Sequence, residues 1–395
     1  MNILNALLSP VLPQEFLENY WGQDYLRIEG ETDKFSSIVT WEDINHLLSF
    51  APLRNPQIRL LKDGEEIRPD KYINFAATRF KTAPLKQTVV PLNIQSFLEG
   101  GATLVLNGLH TMLPKVHNLA VQLERALGDT VRINGYLGWN GAKGFSKHWD
   151  DHDVIVIQIF GEKQWYLYDM TRKYPLMLDS NPGAVPEEVK WEGRITAGDM
   201  LYLPRGYWHA AESVDGPTFH LTIGISRKTG IDFLHWLVDQ LAEQESVRKD
   251  LPRLEWSSWD QIASSETDLV QRLLAFAGGE DLLSQYLQYD ASNRKALAAA
   301  SMPFAVQGSI DDETKLTSNL ARKLVVEDST EDTIIVSGAG KSLTLPKLAL
   351  PIMGQIDSGE VFSPLDTRTL LGQVQQEAIN GTLLNMVQIG WLKTV

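Results

Sequence analysis

Residues 145–160 read FSKHWDDHDVIVIQIF, and a change of character halfway along decides the fold. The second half, DVIVIQIF, is a continuous apolar run rich in β-branched residues, the pattern of a strand covered on both faces. Gly161-Glu162 then makes a turn, and KQWYLYD at 163–169 alternates like the hairpin partner of that strand. Working outward, residues 131–226 supply further short strands broken by Gly and Pro: RIT, a Gly198-Asp199 turn, MLYLP, and TFHLTIGIS at 218–226. Many short strands with such punctuation predict an antiparallel sandwich or barrel.

The first half of the quoted stretch carries chemistry. Side chains alternate along a strand, so His148 and Asp150 point the same way, with Cα atoms about 7 Å apart. One imidazole and one carboxylate can then grip one ion. Downstream, Gly198-Asp199 is followed four residues later by Pro204, then Gly206 and His209. That spacing places a histidine just after a tight strand-to-turn transition, able to return to the same mouth. His-x-Asp alone is common in turns, and the Gly-Asp element serves many barrels; their pairing inside one strand-rich region is what points to a metal. Two His and one carboxylate form the facial set of non-haem iron(II) oxygenases. Asp151 and Asp153 fall on the opposite face, as solvent-facing or supporting groups. His152 shares the parity of His148 and competes with it as a ligand. His46, His110 and His117 sit in helical or loop contexts, and His220 and His235 read as packed or surface histidines.

Composition narrows the chemistry further. The chain has 395 residues and no cysteine, which excludes disulfide scaffolds, thiolate-bound zinc, iron–sulfur clusters and thiol nucleophiles. Any metal must rest on His, Asp or Glu. The formal charge of −14 argues against general nucleic-acid binding and suits a basic partner. The opening residues lack a basic leader and a cleavage site, so the expected location is cytoplasmic. No apolar run is long enough to span a membrane.

On either side of the strand-rich region the periodicity is helical. PQEFLENYW and residues 41–48 frame a strand-like YLRIEG, and residues 111–127 carry Val116, Leu119, Leu123 and Leu127 on one helical face, ended by Gly128. Beyond Gly230, stripes at 233–241, 269–276 and 282–297 predict three helices. The last part predicts a helix over 316–326, strands at TIIVSG and SLTLP around a Gly338–Gly340 turn, and helices from Leu365 onward, a small α+β module of winged-helix type.

KHWDDHDVIVIQIFGEKQWYLY, followed by GDMLYLPRGYWHA and preceded by FLENYWGQDYLRIEG, resembles the JmjC-type cupins and, within them, the ribosomal oxygenase branch. The resemblance implies a double-stranded β-helix that binds Fe(II) and 2-oxoglutarate and uses O2. It also implies a helical dimerisation region and a winged-helix-like C-terminal domain. The expected boundaries are 1–230, 231–310 and 311–395. It makes His148, Asp150 and His209 the iron ligands. Lys163, which spacing alone reads more readily as a solvated turn lysine, stands where the family pairs a basic residue with the far carboxylate of 2-oxoglutarate. Asn134 and Tyr136 resemble co-substrate contacts, or else are a strand residue and a core aromatic. Where eukaryotic members offer a serine on the strand after the second His, this chain has Gly224, with Thr222 and Ser226 nearby. Of the tryptophans around the core, Trp149 and Trp208 stand beside ligands, and packing is the plainer role for the rest.

The implied function is hydroxylation of a side chain in a protein or peptide, with a basic ribosomal-protein loop (Arg or His) as substrate and a homodimer as the working form. The alternatives are a hydroxylase of a peptide natural-product precursor and a non-catalytic cupin sensor.

Overall fold

The computed structural model describes all residues except 1–2, 77–85, 180–182, 246, 279–280, 295–298 and 373–374. The chain divides into two compact units, Met1–Arg227 and Lys228–Val395.

The strands of the first unit are, in chain order, β1 (Leu26–Ile28), β2 (Ile58–Lys62), β3 (Glu65–Glu66), β4 (Ile73–Ala76), β5 (Lys86–Val89), β6 (Thr103–Leu106), β7 (Thr130–Trp139), β8 (Asp153–Phe160), β9 (Glu162–Tyr168), β10 (Val189–Thr196), β11 (Met200–Leu203), β12 (Trp208–Ser213) and β13 (Pro217–Ser226). A large antiparallel sheet has the order β1-β11-β8-β13-β7-β6-β2-β3, and a smaller one the order β10-β9-β12. Strand β8, the apolar run, lies inside the large sheet and is buried from Asp153 to Ile159. Strand β9 alternates, turning Lys163, Trp165 and Leu167 inward. Val154, Val156, Leu201 and Leu203 of the large sheet meet Trp165, Leu167 and Ile195 of the small one in a shared core. This is the mainly β, cupin-like core expected.

The connection between β8 and β9 differs from the hairpin expected. Strand β8 pairs with β11 and β13, whereas β9 pairs with β10 and β12, so Gly161 carries the chain from one sheet to the other. Its φ is +61°, and an added Cβ would collide with the Pro217 carbonyl. Gly198 makes the same crossing from β10 to β11. Its φ is +92°, and a Cβ there would strike the Glu31 carbonyl. Asp199 completes that turn by accepting the Thr196 and Gly30 amides at 2.9 and 3.1 Å.

Helices α1 (Ile3–Leu8), α2 (Pro13–Asn19), α3 (Trp41–Phe50), α4 (Pro91–Glu99) and α5 (Pro114–Leu127) belong to this unit. Helix α5 buries Val116, Leu119 and Leu123 as its spacing predicts, and Gly128 ends it with φ +77°. Phe16 and Trp21 of the lead-in pack on Tyr202 of β11 at 4.9 and 5.6 Å between ring centroids.

In the second unit, α6 (Gly230–Leu241), α7 (Trp259–Ala277) and α8 (Leu282–Asn293) form the helical block. The third helix stops at Asn293, and residues 295–297 of the expected stripe lie outside the described residues. Trp236, Leu237 and Tyr286 pack together, while α7 buries none of its residues. The rest comprises α9 (Phe304–Gln307), β14 (Leu316–Ser318), β15 (Val325–Asp328), β16 (Thr333–Gly338), β17 (Lys341–Pro346), α10 (Leu350–Ser358), α11 (Pro364–Leu371), α12 (Gln376–Gln388) and β18 (Leu392–Thr394). Strands β16 and β17 form the expected hairpin. Residues 316–326 are not a helix. Leu316, Leu320 and Leu324 are all buried, but β14 pairs with β18, and the Asn319 side chain donates to the Ala299 and Gly390 carbonyls. Tertiary partners here outweigh a four-residue apolar repeat. Among the described residues no helix is long and apolar enough to cross a membrane.

Candidate active site

The loop before β8 and the start of β12 bring the His148/Asp150 and His209 motifs together, and hydrogen bonds lock them. The His148 and His209 backbones bond reciprocally, at 3.2 and 2.8 Å. The Gly206 amide donates to the Asp150 carbonyl at 3.0 Å, and the Arg205 amide to the Asp153 carboxylate at 3.0 Å. Asp153 is fully buried; it also accepts the Tyr202 hydroxyl at 2.9 Å and lies 3.5 Å from Arg227. It is a brace between the two motifs, not a solvent-facing acid.

His148, Asp150 and His209 each offer a ligand atom, all within 4.8 Å of one another. Nδ1 of His148 faces the Ser146 carbonyl at 2.8 Å, and Nδ1 of His209 faces the Tyr207 carbonyl at 3.1 Å. Each Nδ1–H donating to its carbonyl leaves Nε2 as the free lone pair. His209 Nε2 stands 3.6 Å from Asp150 Oδ2. Burial first, and His148 beside it, push the His209 pKa down to about 4, which keeps the imidazole neutral as a metal ligand must be. His152 stays outside this group. It bonds Asp151 at 2.8 Å and packs over Gly224, where a Cβ would come within 2.7 Å of its ring. Burial opposes its charge, but the hydrogen bond it donates to Asp151 and the charges of Asp150, Asp151 and Asp153 prevail and raise its pKa.

The three residues border a cavity of about 470 Å³ between the two sheets, lined also by Asn134, Tyr136, Lys163, Trp165, His220 and Thr222. Registers explain the gathering: Asn134 faces Thr222, and Tyr136 faces His220, across β7 and β13. Lys163 is only 4 % exposed, which overturns its reading as a solvated turn lysine. It makes no hydrogen bond or ion pair with the described residues, and burial pulls its pKa down to about 7. Tyr136 is pushed up to about 12, by burial first and then by the charge of Asp150. Asn134 Oδ1 accepts the Gly108 amide at 2.9 Å, which fixes its orientation. Asp150 is the one carboxylate among the described lining residues, against Lys163, Arg132 and the five histidines 110, 148, 152, 209 and 220. Lys163 and Arg132 are the Lys and Arg side chains among the described lining residues, and an anion is the partner that suits them.

His110 and His220 are the lining residues that the spacing argument set aside. His220 is buried but lines the cavity; its placement depends on cross-strand register, and no local motif signals it. Trp208 is buried with its indole N–H on Thr171 at 2.8 Å, a packing role.

Residues 110–233 match the JmjC domain family. An uncharacterized protein of Bacillus subtilis, YxbC, is 29% identical over 259 residues, covering 59% of this chain and 73% of its own length. The bifunctional lysine-specific demethylase and histidyl-hydroxylase NO66 of Dictyostelium discoideum is 27% identical over 344 residues, 83% of this chain and 63% of that protein. Ribosomal oxygenase 1 of Homo sapiens is 27% identical over 259 residues, covering 62% of this chain and 39% of its own. The chain thus spans from about a third to under two thirds of the NO66 and ribosomal oxygenase relatives it matches. Among solved structures, the Escherichia coli ribosomal oxygenase YcfD in complex with cobalt and 2-oxoglutarate superposes with a TM-score of 0.60 over 98% of both chains at 14% identity, a shared fold.

Proposed function

From its JmjC domain and ribosomal oxygenase-like fold, we propose that this chain is an Fe(II)- and 2-oxoglutarate-dependent oxygenase that hydroxylates a side chain of a protein or peptide. The observation that carries this is one cavity lined by His148, Asp150 and His209 together with the buried Lys163, which has no partner among the described residues. Two imidazoles and a carboxylate, in a chain without cysteine, fit a non-haem iron and leave further positions for the co-substrate. Bound there, Fe(II) with 2-oxoglutarate and O2 supplies the oxidising power for hydroxylation, releasing succinate and CO2.

The protein's own residues hold and shield. The Ser146 and Tyr207 carbonyls fix both imidazoles by their Nδ1–H groups, so neither ring must reorient to bind metal. Lys163 donates to the far carboxylate of 2-oxoglutarate, which would otherwise enter the sheet core without a partner. Asn134, Tyr136 and Thr222 contact the co-substrate from the opposite sheet, and Trp165 closes the side toward His209, with 6.0 Å between ring centroids. The cavity walls exclude bulk water from the reacting atoms.

The favoured substrate is a basic ribosomal-protein loop presenting Arg or His. The chain's charge of −14 supports an encounter with a basic polypeptide. Residues 231–310 serve as the dimerisation region and 311–395 as a winged-helix-like accessory domain. In support, α7 leaves Trp259, Val270, Leu273 and Leu274 exposed. Incubation with Fe(II), 2-oxoglutarate and a panel of basic ribosomal-protein peptides should yield one peptide heavier by one oxygen on an Arg or His. Failure of every peptide in the panel would reject this substrate class.

A further inference from the structure

Lys163 does not stand alone at the inner end of the cavity. His220, 4 % exposed, lines the same space from the opposite sheet. Its ring lies flat against Tyr136, with centroids 4.9 Å apart and planes 8° from parallel, and edge-on to Trp165 at 5.7 Å. These two aromatics fix its orientation, yet its Nδ1 has no hydrogen-bond partner and the residue makes no ion pair among the described residues. Burial first, and then the charges of Lys163 and His209, hold the His220 pKa below its ordinary value. Both groups are buried on the wall of one cavity, and neither has a hydrogen-bond or ion-pair partner there among the described residues to satisfy it. The arrangement is relieved by an anion that reaches both.

We propose that His220 is a second ligand for the far carboxylate of 2-oxoglutarate, so that Lys163 from one sheet and His220 from the other clasp that group between them. This rests on the oxygenase reading above and deepens it. One carboxylate has two oxygens and about four acceptor sites, more than a single ammonium fills. The lysine supplies charge, and the imidazole, held flat by Tyr136, supplies direction. His220 thereby selects a 2-oxo acid ending in a carboxylate over one of equal length ending in a methyl group.

The test uses the full chain loaded with Mn(II), which binds the ligands without turnover, and calorimetric titration with two acids. One is 2-oxoglutarate; the other is 2-oxopentanoate, of equal chain length but without the far carboxylate. Loss of a hydrogen bond to a charged group predicts that His220→Leu weakens 2-oxoglutarate about ten- to hundredfold, leaves 2-oxopentanoate within about twofold, and so cuts the preference between them by about that factor, Lys163 carrying the remainder. His220→Asn, which keeps a donor and less volume, should recover part of the preference. Equal weakening of both acids, or no weakening of either, would overturn the assignment of His220 while leaving the oxygenase reading intact. Absence of 2-oxoglutarate binding by the Mn(II)-loaded wild type would instead overturn the reading on which it rests.

Discussion

A lysine sealed among imidazoles and aromatic rings carries its charge at a cost, because burial removes the water that would solvate the ammonium. For Lys163 this lowers the pKa from the ordinary 10.5 to about 7. Below pH 7 both the folded and the unfolded chain hold the proton, and the full penalty falls on the folded state. Between pH 7 and 10.5 the unfolded chain binds the extra proton, so the empty protein gains stability as pH rises. Urea midpoints should therefore climb from pH 7 to pH 9 in the wild type and climb less in Lys163→Met, which should also be the more stable protein at pH 7. Parallel pH dependences would show that Lys163 is not buried as described. The same residue marks a boundary of what the chain discloses. His148, Asp150 and His209 are legible because their motifs are local, two residues apart or tied to the Pro204-Arg205-Gly206 turn. Alternation puts Lys163 on one face with Trp165 and Leu167, but that this face is the buried one, and that His220 lines the cavity, depends on pairing between distant strands.

At the level of elements, the glycines that carry the chain between sheets hold the site together. Gly198 works at φ +92° with the Glu31 carbonyl where a Cβ would go, and its neighbour Asp199 ties the turn to Gly30. Gly198→Ala is expected to cost about 2 kcal/mol or more of stability, read as a lower urea midpoint with unchanged slope. An unshifted midpoint would contradict the described turn. The strand character of β8 and β9 is plain from their residues, whereas their partners are not. A tight Gly-Glu turn between two strands looks the same whether it closes a hairpin or crosses between sheets, and only the wider topology decides. Residues 316–326 mislead for a related reason: Leu316, Leu320 and Leu324 repeat at helical spacing, but pairing with β18 and the bonds from Asn319 impose extended structure.

For the whole molecule, the order of parts (strand-rich core, helical block, small α+β part) follows from periodicity alone. The placement of charge does not. The chain is strongly acidic, yet the cavity beside His148, Asp150 and His209 has Asp150 as its one carboxylate among the described lining residues, with Lys163 and Arg132 also on its wall. The helical block is the remaining feature that asks for a partner. Helix α7 is well formed, with Ser258 and Gln261 capping each other and Arg272 paired to Asp268 at 2.8 Å, but it buries none of its residues. Light scattering should give about twice the 44.3 kDa chain mass for the wild type and a lower mass for Leu274→Glu. A wild-type mass near that of one chain would reject the dimer.

The central claim is that His148, Asp150 and His209 hold an iron which consumes 2-oxoglutarate. Its most direct measurement is succinate formed from 2-oxoglutarate under O2, with Fe(II) and the basic peptide panel, by wild type and by His209→Ala. The account predicts succinate that depends on added Fe(II) in the wild type and falls to background in the variant. Equal succinate from both proteins would contradict it.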